Sequence, residues 1–119
     1  VARAAIQFFE ALLGHRTGDL TALCAGTFSF DGRAASGRSE IGARFGEILA
    51  QRDGIVYALQ DLAVMPTAEA VARYGKPPPR IAPMAQSSAW VAVASLSGRA
   101  TFVFFARQGS SWVATGMHD

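Results

Sequence analysis

The chain has 119 residues, 50% of them hydrophobic and 17% charged, with a formal net charge of +2. That length makes a single domain, residues 1–119, able to build a core without disulfides or metal, and the composition excludes a disordered chain. Ten arginines and one lysine are scattered rather than gathered into a basic stripe, and no apolar run approaches the ~18 residues of a membrane span, so neither nucleic acid nor membrane is an expected partner.

Ala2 to His15 reads as a helix. Ala5, Ile6, Phe9, Leu12 and Leu13 recur at three- and four-residue spacings, with Phe8 widening the apolar face. Gly14 and the Arg16–Gly18 segment stop it, and Asp19 caps a short second helix from Leu20 to Cys24. Cys24 is the only cysteine, which excludes an internal disulfide and the common zinc spacings. It reads as a buried, inert thiol.

From Thr27 to Ala35 the period switches to two, with Phe28 and Phe30 on one face and Asp31-Gly32 as the hairpin turn. A third helix follows with Ser39 as N-cap and Ile41, Phe45, Ile48 and Leu49 as its buried stripe, ended by Asp53-Gly54. Ile55 to Met65 is a long strand that places Asp61 among apolar neighbours. Such an acid is a candidate for chemistry, and its structural alternative is a strand-edge carboxylate in water or beside an arginine. Thr67 then caps a short helix, Ala68 to Tyr74, stopped by Gly75. The stiff Lys76–Arg80 stretch, with three consecutive prolines, cannot join a sheet interior. Thr67 to Pro83 is expected to cross one mouth of the fold.

The last third forms a three-stranded antiparallel meander. Ala89 to Leu96 alternates Trp90, Ala92, Ala94 and Leu96 against Val91, Val93 and Ser95. Ser97-Gly98 turns the chain, Phe102, Phe104 and Ala106 alternate with Thr101, Val103, Phe105 and Arg107, and Gln108–Ser110 turns it again. Strict alternation then puts Trp112, Ala114, Gly116 and His118 opposite Val113, Thr115, Met117 and Asp119. Both faces are mostly apolar, which predicts helices over one side and a second copy of the chain over the other.

The segments FFEALL-x₄-GDLTAL (Phe8 to Leu23), FSFDGRAASGRSEIGARF (Phe28 to Phe45) and WVATGMHD (Trp112 to Asp119) give the sequence a resemblance to the nuclear transport factor 2-like superfamily. This group includes SnoaL-like cyclases, ketosteroid isomerases and scytalone dehydratase. The resemblance implies an α+β cone, cystatin-like, with a curved antiparallel sheet packed against N-terminal helices. It places Asp31 at the general-base position of ketosteroid isomerase-like members. Phe8 stands at the place of their oxyanion tyrosine, and no acid occupies the apolar strand positions, so two of three parts are missing. Scytalone dehydratase-like sites imply a second arrangement, His118 with Asp31 or Asp61 as acid and base inside the cone. The structural alternative for Asp31 is a solvated turn residue, and for His118 a frayed chain end.

The expected function is binding of a small apolar ligand, or an accessory role, in a pocket between helices and sheet lined by Phe9, Leu13, Phe45, Tyr57, Trp90, Phe105 and Trp112. A filled aromatic core is the structural alternative. The runner-up is a cofactor-independent isomerase, dehydratase or cyclase using Asp31 with His118 or Asp61, and the third reading is a dimerisation module. No phosphate loop, nucleophile elbow or dinucleotide fingerprint is present, so no cofactor is called for. Cytoplasmic residence is the expectation, with export left open because the sequence starts at Val1.

Overall fold

The computed structural model describes residues 1–51, 59–96 and 99–118. Tyr57, Asp119, the Ser97-Gly98 turn, the Asp53-Gly54 stop and the start of the long strand at Ile55 lie outside the described residues.

The elements follow the order α1 (Ala2–Leu13), α2 (Thr17–Leu23), β1 (Cys24–Phe30), β2 (Arg33–Ser36), α3 (Arg38–Gln51), β3 (Leu59–Pro66), α4 (Thr67–Tyr74), α5 (Ala82–Ser87), β4 (Trp90–Leu96), β5 (Arg99–Gln108) and β6 (Ser111–His118). The six strands form one sheet in the order β2-β1-β6-β5-β4-β3. Four of the five neighbouring pairs are antiparallel, but β1 lies parallel to β6. The sheet is therefore mixed rather than wholly antiparallel.

One face of the sheet packs on α1, α2 and α3. In α1 the buried side chains are Ala5, Phe8, Phe9, Ala11 and Leu12. The helix is thus rotated toward Phe8, and Ile6 is left exposed. In α3, Ile41, Phe45 and Leu49 recur every four residues and are buried. Between these helices and the strands, Phe8 stacks on Phe28 and meets Phe9, Phe45 and Phe105 edge-on, while Phe45 contacts both Phe28 and Phe30. Ring contacts at these separations fill space densely and favour edge geometry.

The other apolar face is covered by the chain itself. Met65, Ala70, Ala85, Val91, Val93 and Phe104 form a second core, with Ala63, Met84 and Phe102 packed against it. Its lid is α4 and α5, which lie on the face rather than across a mouth of the fold. The two-faced apolar pattern of the meander, read from sequence as a call for a partner copy, is met over much of its area by an intramolecular cover.

Bulges in β6 and β3 break the alternation that the sequence pattern assumes. In β6, Phe104 pairs with Gly116 but Phe105 pairs with Ala114, so Thr115 is the extra residue and the strand's faces exchange beyond it. Trp112 and Ala114 face the α1–α3 core, and so does Met117. Gly116 instead lies under Met84 of α5. In β3 the register shifts between Gln60 and Ala63, with Asp61 at φ 57°.

Candidate functional site

The site grows from the β1–β2 turn. Asp31 and Gly32 both adopt positive φ, 54° and 93°, as a tight two-residue hairpin requires. The turn is held by the Asp31 amide donating to the Met117 carbonyl at 2.9 Å and the Gly32 amide donating to Ser29 Oγ at 3.1 Å. Asp31 is thereby fixed beside the end of β6.

Two nitrogen-bearing side chains converge on it. The Nδ1–H of His118 donates to Asp31 Oδ1, a contact closed by the β6 bulge. Arg80 approaches from the segment after the prolines. Its Nη2 donates to both carboxylate oxygens at 3.1 and 3.3 Å, and its Nε donates to the Asp31 carbonyl at 3.2 Å. Gly32 permits this approach, because a Cβ there would lie 3.0 Å from the Arg80 Cβ, Cγ and carbonyl oxygen. Partial burial alone would raise the Asp31 pKa. The hydrogen bonds and positive charges of His118 and Arg80 outweigh it, and the net shift is downward from the ordinary 3.8.

The three side chains border a cleft of about 370 Å³, whose walls include Phe30, Arg33, Arg44, Ile48 and Met117. The Arg44 guanidinium sits 5.7 Å above the Phe30 ring, a cation–π placement, with its Nη1 3.9 Å from Glu47 Oε2. His118 is the least exposed member of the cluster, with a side chain 17% accessible against 50% for Asp31. Because an ionised carboxylate only accepts, the bond to Asp31 fixes the proton on Nδ1 and leaves Nε2 as the atom that exchanges protons. Asp31 thus holds the imidazole in one orientation.

Of the expected acid–base residues, the structure brings together Asp31 and His118. Asp61 stays apart, on the edge strand β3. Three strand spacings separate β3 from β6, about 14 Å at ~4.8 Å each, and Asp61 projects into solvent at its bulge. His118 also differs from expectation. The extra residue at Thr115 moves it off the Trp112 face, and its ring stacks near Phe102 at 6.2 Å on the opposite side of the sheet. Of the expected ligand-binding set, Phe9, Phe45 and Phe105 are fully buried in the core, and Leu13, Trp90 and Trp112 pack against it. The two indoles meet edge-on at 6.4 Å. None of these six borders the cleft.

Arg80, Arg33 and Arg44 were not singled out by sequence reasoning. Arg80 lies 49 residues from Asp31, a separation no local pattern can bridge. Among the described residues, no group of three or more histidine, cysteine, aspartate or glutamate side chains is arranged to hold a metal ion. No helix among them is long and apolar enough to cross a membrane.

The helices, hairpin and six-stranded sheet together constitute the nuclear transport factor 2-like, cystatin-like α+β fold. Among solved structures, the chain is similar to a dehydratase candidate of the NTF2-like family from Streptomyces avermitilis, with 17% identity and a TM-score of 0.59 over 98% of this chain and 90% of that one. It is also similar to an NTF2-like protein of unknown function from Pseudomonas putida, at 14% identity and TM-score 0.55 over 98% and 80%. A third is a protein of unknown function with a cystatin-like fold from Nostoc punctiforme, at 12% identity and TM-score 0.54 over 98% and 84%. No protein-family model and no curated protein sequence matches the chain. At these identities the likeness shows the fold, and function has to be argued from the site.

Proposed function

We propose that the cleft is a small-molecule site for cofactor-independent proton transfer, of the isomerase, dehydratase or cyclase type, with His118 as the proton-transferring group. The observation that carries this reading is the His118–Asp31–Arg80 cluster on the cleft wall. Asp31 holds the imidazole in one tautomer, and Arg80 holds Asp31 ionised and in place. Nε2 of neutral His118 takes a proton from the carbon next to a carbonyl. The electron pair moves to the carbonyl oxygen, and the guanidinium groups of Arg33 and Arg44 supply positive charge where that oxyanion develops. In a dehydration, the protonated ring returns its proton to the departing hydroxyl. The fold shared with the Streptomyces avermitilis dehydratase candidate supports this class of reaction without naming a substrate.

The test is solvent deuterium incorporation into a panel of aromatic ketones and β-hydroxy ketones. Wild-type protein accelerates exchange at the carbon next to the carbonyl for at least one member, and His118→Gln lowers that rate by roughly 10²–10⁴-fold. Exchange no faster than buffer across the panel, or an undiminished rate in the variant, overturns the proposal. Pairing of two copies, across whatever part of the second sheet face α4 and α5 leave open, is carried with it and is tested by sedimentation. A cytoplasmic location is likewise carried over from the sequence, and cell fractionation tests it.

A further inference from the structure

The second sheet face holds a cavity that the cleft chemistry does not use. It lies under the Thr67–Ser87 excursion and measures about 150 Å³. Its floor is Val91, Phe102 and Phe104, and its roof comes from Ala70 and Val71 of α4 and from Ile81.

The void persists for physical reasons. Ala70 is too small to fill it, and Gly75 at φ 91° turns the chain sharply out of α4. Pro77 and Pro78 then stiffen the wall, so it does not collapse inward. Tyr74 packs edge-on against Phe102 at 5.5 Å and closes one side. Across this apolar interior the polar side chains are few. Thr67 already donates its hydroxyl to the Ser88 carbonyl at 2.7 Å, Lys76 stands exposed at the rim, and His118 contributes its ring to the wall.

We infer that this cavity is a second binding site, for a neutral single-ring aromatic molecule of the phenol class. A space of about 150 Å³ suits one benzene-sized ring. Aromatic walls favour an aromatic guest. One convergent polar group, His118, selects a ring with a single hydrogen-bonding substituent over a bare hydrocarbon, and the apolar interior disfavours a charged one. The inference stands apart from the cleft chemistry, although His118 borders both spaces.

The test is titration of the intact chain with phenol, followed by two-dimensional amide NMR. Phenol produces saturable shifts at Val71, Ile81, Phe102 and Phe104, leaves Arg44 and Ile48 of the cleft unmoved, and binds more tightly than benzene. Val71→Trp plugs the cavity from a half-exposed wall position and weakens phenol roughly tenfold or more. Ile6→Trp, at an exposed position on α1, leaves it unchanged. Shifts centred on the cleft, shifts that fail to saturate, benzene binding as tightly as phenol, or full affinity in Val71→Trp each overturn the inference. A failure of ketone exchange with phenol still mapping to α4 would remove the cleft reading and leave this one intact.

Discussion

Asp31 occupies a backbone conformation that few residues tolerate, and it does so while its carboxylate is held by both His118 and Arg80. Its pKa is held below the ordinary 3.8 by His118 and Arg80. A lowered carboxylate pKa stabilises the fold above the unfolded-state value, and that contribution is lost as pH falls through the lower native value. Asp31→Asn keeps the left-handed turn, since asparagine also tolerates positive φ, but loses the charge. The melting temperature of the variant should therefore depend less on pH below the ordinary carboxylate range, and the wild-type and variant curves should converge as pH falls. Parallel curves would show that the cluster contributes nothing to stability. Cys24 gives the opposite sign. Burial pushes its thiol up to about 12, and its Sγ–H donates to the Leu20 carbonyl at 3.1 Å. Alkylation at pH 8 should leave the native protein unmodified and label it fully in denaturant. The Asp31-Gly32 turn was legible in the sequence. The Arg80 partner was not, because only the folded chain closes the distance.

Among the elements, β6 decides where His118 sits. Its pattern of alternating side chains was readable, but the extra residue at Thr115 was not, since a bulge is a property of two paired strands. The bulge is stitched to α5. Ser88 Oγ and Thr115 Oγ1 lie 2.8 Å apart, so one hydroxyl donates to the other, and the second donates to the carbonyl beside it, Met84 for Ser88 or Phe104 for Thr115. Gly116 lets α5 approach, because a Cβ there would run into Met84 Sδ and come 3.0 Å from the Ser29 Cβ and carbonyl oxygen. Gly116→Ala should cost about 1–3 kcal/mol, the usual range for overpacking. In urea unfolding, Gly116→Ala with Met84→Ala should cost less than the sum of the single changes. Strict additivity would place the obstruction elsewhere. The turn offers a second case. Gly32→Ala meets both a positive φ and the Arg80 backbone, and should lose about 1–3 kcal/mol of stability.

At the scale of the molecule, two cores share one sheet. The larger is an aromatic cluster centred on Phe8, which is wholly buried among Phe9, Phe28, Phe45 and Phe105. Phe8→Ala should cost about 3–5 kcal/mol by calorimetry or denaturant unfolding, whereas a loss below about 1 kcal/mol would mean the cluster repacks. By itself the sequence determined which residues avoid water, where helix periodicity yields to strand periodicity, and where glycine permits a turn. Those are local properties, fixed by side-chain chemistry and backbone sterics over a few neighbouring residues. Tertiary structure alone decided that α4 and α5 shield the second sheet face, that β1 runs parallel to β6, and that His118 turns away from Trp112 toward Asp31 and Phe102. Each of these depends on strand register or on contact between segments dozens of residues apart, where the winning arrangement is set by the summed packing of the whole chain.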